Sequence, residues 1–359
     1  MTDVIAASLA DVKDAVESAI AAEHRLEVRG TGSKSNLGRA CDFDATLDVS
    51  QMAGIVDYQP EELVMTLRAG TPMDVVENAL ADARQMLAFE PPHMGRISGG
   101  PRSELRGTIG GVVAANLSGP RRLTAGATRD YLLGFEAISG RGELFKSGGR
   151  VMKNVTGYDL SKLMCGSFGT LAVMDEITLK TLPAPETSQS LLVACADFRA
   201  AIKTIAQIFA TPHEPGAAAI LPQAIAAEEK VDTGGAFTAI IRLEGIAASV
   251  SDRVANLQTM TGVVRPLPPR PVNPCGSVFV TCSLWQKSRM ICGKCRAHPL
   301  MHRALSQRLI PWWVFGSWLT GLVGCCGSGP AGHVILATVF GRLWQSWTAD
   351  LQCWCVMWR

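Results

Sequence analysis

The apolar positions of the first 264 residues change period several times, and each change marks an element. Over residues 8–23, Leu9, Val12, Ala15, Val16, Ile20 and Ala21 recur at helical spacing, with Ser8 placed to cap the helix. A short strand at 26–29 runs into Gly30-Thr31-Gly32-Ser33-Lys34-Ser35. Strands follow at 46–49 and 63–68, the latter ending at Ala69-Gly70. A helix runs from Pro72 to Arg84, with Thr71 as its cap and proline in its first turn. This order of strand, glycine turn, strands and helix predicts an α+β domain.

Residues 90–130 lose the period and gain Pro91, Pro92, Gly99, Gly100, Pro101 and Gly107. Inside them lies a glycine-bearing stretch from Thr108 through Gly110, Gly111 and Asn116 to Gly119. Long loops of this kind in a compact domain usually carry function. A hairpin is predicted from 131–139 and 143–146 around Gly140-Arg141-Gly142, and an apolar strand at 170–182. Pro183 and Pro185 mark a boundary. Beyond it, strands at 190–196 and 236–243 alternate with helices at 198–209 and 247–259. Two strands and two helices do not close a sheet by themselves, so this half-domain reads as incomplete with an exposed edge.

Composition divides the chain a second time. All eight Trp and eight of the eleven Cys of the 359 residues lie within 265–359. That segment holds one acid, Asp350, against ten Lys and Arg, a balance of +9, whereas residues 1–264 carry −7. The net charge of +2 therefore describes neither part, and it gives no sign of nucleic-acid binding. The first part has no basic start leading into an apolar run and only three scattered cysteines. It reads as a cytoplasmic protein from a reducing compartment. In the second part no period persists. An apolar run at 309–323 is shorter than the about 20 residues a membrane helix wants. Cys292, Cys295, His298 and His302 have a middle gap too short for a zinc finger. One cause accounts for the Trp, the Cys and the missing acids together: the leucine codon CTG, shifted by one base, reads as Trp or Cys. We therefore read residues 265–359 as out of frame, and expect another frame of the DNA to give an acidic, Trp-poor continuation.

The loop at 30–35 fits neither a Walker A sequence, whose first glycine must stand further upstream, nor a dinucleotide fingerprint, whose third glycine would fall at Ser35. Three glycine-rich stretches at 29–38, 108–119 and 157–173 change the picture, because backbone amides without a Cβ can approach an anion. A long, doubly charged cofactor such as FAD needs its pyrophosphate cradled in this way and its rings held by apolar walls.

The order RGTGSK, LDVSQMAGIVDYQPEELVMTLRAGTP, MLAFEPP, TIGGVVAANLSGPRR and GRVMKNVTGYDLSKLMCGSFGTLAVMDEITLK resembles the FAD-binding domain of the vanillyl-alcohol oxidase superfamily over residues 1–264. Within it, the chain is similar to the small FAD-binding subunits of bacterial glycolate oxidases. The resemblance implies a two-subdomain FAD-binding fold over residues 1–186, an incomplete α+β cap domain over 187–264, and the anomalous tail over 265–359. It places Arg29, Gly30, Thr31, Gly32, Ser33 and Lys34 in the first pyrophosphate loop and Thr108, Gly110, Gly111, Asn116 and Gly119 along the flavin. Gly157, Tyr158, Asp159, Gly166, Ser167, Gly169 and Thr170 would close over the cofactor, with Val173 offering backbone contacts. The first loop has no histidine, which implies non-covalent FAD; no metal is implied, and no catalytic base is assigned to this chain.

The implied activity is oxidation of glycolate to glyoxylate in a complex with a larger flavin subunit and an iron–sulfur subunit, at the inner face of the membrane through that complex if at all. A stand-alone FAD-linked D-2-hydroxy-acid dehydrogenase of D-lactate type and a frame-disrupted remnant are the alternatives. Asp175 departs from the family pattern by adding a charge where relatives have threonine. Glu90, Pro92, His93 and Arg96 could approach the substrate side, although such residues more often order a loop. Arg121 and Arg122 read as a solvated pair, and Cys165 as core.

Overall fold

Ser8 starts the first helix as its spacing predicts. It accepts a hydrogen bond from the Asp11 amide, and the Asp11 carboxylate accepts one in return from the Ser8 amide, forming a capping box. The computed structural model describes residues 2–35, 37, 41–95, 104–149, 157–228, 233–261, 264–267 and 270–271. Strand β1 (Thr2–Ile5), helix α1 (Leu9–Ala21), β2 (Leu26–Arg29) and β3 (Ala45–Asp48) form a parallel three-stranded sheet in the order β1-β3-β2. Val12, Ala15 and Val16 of α1 bury against Leu47, Val49 and Met52, together with Ile138 and Val173 from the next sheet.

The chain continues through β4 (Ile55–Gln59), β5 (Val64–Arg68), α2 (Met73–Asp82), β6 (Gln85–Met86), α3 (Ile109–Ala114) and α4 (Arg122–Ala125). It then forms β7 (Leu132–Ser139), β8 (Leu144–Gly148), α5 (Leu160–Met164), β9 (Ala172–Lys180) and β10 (Leu182–Pro183). An antiparallel sheet runs β4-β5-β9-β7-β8. Its buried face, with Met65, Leu67, Ile177 and Leu179, packs with Val76 and Leu80 of α2 and Ile109, Val112 and Val113 of α3 around Phe89. Each such fully buried side chain contributes about 1.5–3 kcal/mol.

The α2 cap differs from expectation. Thr71 does not cap it: its hydroxyl donates to the Arg68 carbonyl and accepts from the Gly54 amide, tying down the turn after β5. Asp175, the departure from the family pattern, is buried and is answered by a hydrogen bond from the Arg68 guanidinium of neighbouring β5.

At Gly70 an added Cβ would lie 2.2 Å from the Val49 carbonyl oxygen and 2.7 Å from that of Met52. Both obstacles are backbone, so neither can rotate away. Gly70→Ala is expected to lower stability by about 1–3 kcal/mol, read as a reduced melting temperature; an unchanged melt would contradict this close approach.

Beyond Pro183 come β11 (Thr187–Cys195), α6 (Phe198–Phe209), β12 (Ala217–Pro222), α7 (Gln223–Glu228), β13 (Phe237–Gly245), α8 (Ala247–Thr261), β14 (Val264–Pro266) and β15 (Arg270–Pro271). The sheet order is β12-β13-β11-β14, and β15 also pairs with β11. Leu191, Val193, Ala239, Ile241 and Leu243 pack with α6 and α8. The sequence predicts only two strands here; β12 and β14 flank them. Pairing on β11 also continues through residues 264–267 and 270–271, past the composition break at 264/265. The tail readings, including the apolar run at 309–323 and the Cys292–His302 cluster, lie outside the described residues.

Candidate functional site

The three glycine stretches converge. A Cβ on Gly30 would lie 2.8 Å from Thr108 Cγ2 and Oγ1, so the first loop touches the start of α3. Gly107, at φ +94°, leaves room for Ser33 Oγ and Lys34 Nζ, which a Cβ would meet at 2.5 and 2.7 Å. A Cβ on Gly111 would stand 3.0 Å from the same ammonium. The third stretch joins at the other end of α3: the Gly166 amide donates to Val113 O at 3.2 Å and the Phe168 amide to Ala114 O at 2.9 Å.

Helix α3 itself was not legible as a helix, because Gly110 and Gly111 each lower helix propensity by about 1 kcal/mol. It forms because Thr108 caps it by accepting from Gly111 N, and because Ile109, Val112 and Val113 are buried. Gly110 is required by contact: its amide donates to Ala69 O, and a Cβ would lie 2.7 Å from that oxygen.

Lys34 Nζ reaches Ser33 Oγ at 3.3 Å, and burial pushes its ammonium down to about 8. No carboxylate is paired with it among the described residues. Among the described residues, Thr31 Oγ1 and Ser167 Oγ are buried without a hydrogen-bond partner. A cationic side chain beside a serine hydroxyl and the Gly107 and Gly111 backbone fits the phosphates of FAD. In that arrangement Lys34, Ser33 and Thr31 would hold the pyrophosphate from the first loop and Ser167 from the third.

Other expected positions are occupied differently. Arg29 faces three carboxylates, Asp3 at 3.6 Å, Asp48 at 3.8 Å and Glu27 at 4.0 Å, so its charge is already answered by its own sheet. Asn116, at φ +47°, accepts from the Arg129 amide and, at 3.5 Å, from Cys165 Sγ, joining two stretches. Asp159 caps α5, and its hydrogen bond with Lys162 holds its carboxyl below the usual range. Thr170 Oγ1 donates to Ser167 O within the loop. Gly169 approaches Val28 of β2. Val173 buries its side chain in the α1 core, which leaves only its backbone to face a ligand. Gly157 has open space around it, and Tyr158 is 92% exposed, standing clear of the converging loops. Cys165 is core, with burial pushing its thiol up to about 12.

Gly119 marks a contact that the sequence does not announce. Its amide donates to Phe89 O at 2.7 Å, and a Cβ would lie 2.3 Å from Glu90 O. Glu90, at φ +44°, is buried against Arg242 of β13, with both carboxylate oxygens 2.7 Å from Arg242 Nη2. Arg242 Nε lies 2.5 Å from Glu244, whose other oxygen is 3.0 Å from Arg121 Nη1. Arg121 is therefore an interior ion-pair partner and not a solvated residue. Arg96 lies outside the described residues, and His93 is buried. Among the described residues no His, Cys, Asp and Glu group could hold a metal, and no helix is long and apolar enough to cross a membrane.

The family described as FAD binding domain matches residues 3–148. The chain is 48% identical over 176 residues to glycolate oxidase subunit GlcE of Escherichia coli (strain K12), covering 49% of this chain and 47% of that protein. It is 33% identical over 207 residues to glycolate oxidase subunit GlcD of Bacillus subtilis (strain 168), covering 57% and 42%. It is also 34% identical over 191 residues to a D-lactate dehydrogenase of Anaerostipes hadrus, covering 52% and 38%. These matches span less than half the length of the curated relatives. Among solved structures, alkyldihydroxyacetonephosphate synthase superposes with a TM-score of 0.59 at 16% identity, over 80% of this chain and 54% of that one. p-Cresol methylhydroxylase gives 0.56 at 16% identity, over 74% and 57%. Both support the fold alone. Residues 3–148 thus match the FAD binding domain family, and the chain is similar to glycolate oxidase subunits and other FAD-linked oxidases.

Proposed function

We propose that this chain is the FAD-binding subunit of a glycolate oxidase complex that oxidises glycolate to glyoxylate. The observation that carries this is the 48% identity to a glycolate oxidase subunit over 176 residues. Residues 1–186 would form the FAD-binding domain and 187–264 part of the cap. FAD would be held non-covalently, since the first loop offers no histidine for a flavin bond. When bound, FAD supplies the electron acceptor. The chain's own residues supply the rest: Lys34 and Ser33 answer the phosphates, α3 fixes the glycine stretch, and the Arg242–Glu90 contact sets the cap against it. The partners proposed are a larger flavin subunit, an iron–sulfur subunit and a small 2-hydroxy acid, with no nucleic acid. The location proposed is the cytoplasm, at the membrane's inner face through the complex.

Purified protein mixed with FAD and desalted is expected to show flavin absorption bands, with the flavin released into the supernatant on acid precipitation. Protein without bands sinks the cofactor assignment, and flavin retained in the precipitate sinks the non-covalent one. Co-expression with the two partner subunits is expected to give one complex. A stand-alone D-2-hydroxy-acid dehydrogenase is the second reading, favoured by the match to a D-lactate dehydrogenase; lactate-dependent dye reduction by this chain alone would select it. We also propose that residues 265–359 are out of frame, which retranslating the DNA decides.

A further inference from the structure

The ion cluster between β13 and the segment around Glu90 contains two arginines and two glutamates, and its formal charges cancel. The side chains of Arg242 and Glu90 are only 3% and 8% exposed, and those of Glu244 and Arg121 are 10% and 15% exposed. Arg242 lies on β13 of the cap sheet, and Glu90 reaches it from the FAD-binding domain, immediately beside Gly119. A guanidinium is the side chain best suited to receive a carboxylate, and every 2-hydroxy acid presents one. Here the guanidinium already holds a carboxylate of the chain. Two cluster members, Arg121 and Glu244, also line an open cleft of about 660 Å³ with Met86, Glu214, Gly245 and Arg253, which brings solvent to one side of the cluster.

We propose that Glu90 is a resident carboxylate plugging a carboxylate receptor built around Arg242, so that this chain's cap does not take up a 2-hydroxy acid at that position. A second carboxylate entering the intact cluster would leave it with a net negative charge in a desolvated place, which is strongly disfavoured. Removing Glu90 leaves a net positive charge and a vacancy shaped by a carboxylate. The backbone points the same way: Glu90 sits at φ +44°, a conformation that glycine adopts freely and glutamate does not. The inference rests on the functional reading for its substrate class; the receptor itself is independent of that reading.

The test is carboxylate rescue of Glu90→Gly, a change that also relieves the backbone, with Glu90→Ala as a second variant. Thermal melts of the full chain with added FAD are recorded with sodium acetate, sodium glycolate, neutral glycolamide or sodium chloride at matched ionic strength. Acetate and glycolate are expected to restore at least half of the melting temperature lost by the variants, and glycolamide and chloride are not. Wild type is expected to stay unmoved by acetate. Equal effects of acetate and chloride on the variants overturn the proposal. So does equal rescue when Arg242→Met is added, and so does failure of both variants to fold even in acetate. If wild type carries no flavin, the functional reading fails while the rescue stays readable, because melting needs no turnover.

Discussion

Lys34→Met is expected to weaken FAD binding by about 10- to 150-fold, the equivalent of one charge-assisted hydrogen bond worth about 1.5–3 kcal/mol. The ammonium stands among Ser33, Gly107 and Gly111 with no carboxylate partner, so no other described charge takes over when it is removed. The affinity should also depend on pH. Burial lowers this lysine from 10.5 to about 8, so the free protein loses the proton as pH rises through 8. A bound anion favours the charged form, so binding is strongest below 8 and declines above it. Without ligand the sign reverses. The unfolded chain keeps the proton up to about 10.5 and the folded one does not, so stability of the FAD-free protein rises between about 8 and 10.5. Titrations following flavin fluorescence at several pH values between 7 and 10 check the binding profile, and urea unfolding of the FAD-free protein over the same range checks the stability. A flat wild-type profile, or Lys34→Met binding as wild type does, removes Lys34 from the phosphate site.

Arg242→Met should cost about 3–5 kcal/mol of stability, because it leaves Glu90 and Glu244 buried with Arg121 as their only remaining cluster partner. Burial already pushes the Glu90 carboxyl upward, against the pull of Arg242. Adding Glu90→Met to Arg242→Met restores the charge balance between Glu244 and Arg121, so the double variant should lose less than the single one. Urea unfolding followed by circular dichroism measures both. Additive losses, or a single-variant loss under 1 kcal/mol, would show that the pair is not coupled as its geometry requires.

Local signals announced the elements they control. Ser8 and the helical spacing behind it gave α1 its start, and the β-branched and apolar run at 172–180 showed β9 plainly. What stayed hidden was decided by tertiary contact. Gly110 and Gly111 argue against a helix by propensity, yet α3 forms because Thr108 caps it and Ile109, Val112 and Val113 are buried, and glycine is needed where Gly110 passes Ala69. Strand β12, rich in alanine, has little strand propensity, and it pairs with β13 because Ala217, Ala218 and Leu221 are buried. The glycine stretches and Lys34 were visible as candidates for anion contact, but the packing of Gly107 and Gly111 against its ammonium was not. Arg242 gave no signal at all: an arginine within an apolar strand looks like an exposed position until Glu90, far away in sequence, arrives beside it.

The proposed phosphate cradle draws on residues 30–34, 107–111 and 166–170, so no shorter stretch of the chain contains it. A growing chain therefore cannot capture its cofactor until about residue 170 has left the ribosome and the first domain has collapsed. Capture then acts on the whole domain at once, since free FAD at 100 times its dissociation constant adds about 2.7 kcal/mol to folding stability. Cells short of riboflavin should therefore accumulate less of this protein, and not merely a less active form of it. Abundance, more than turnover, would report the vitamin supply.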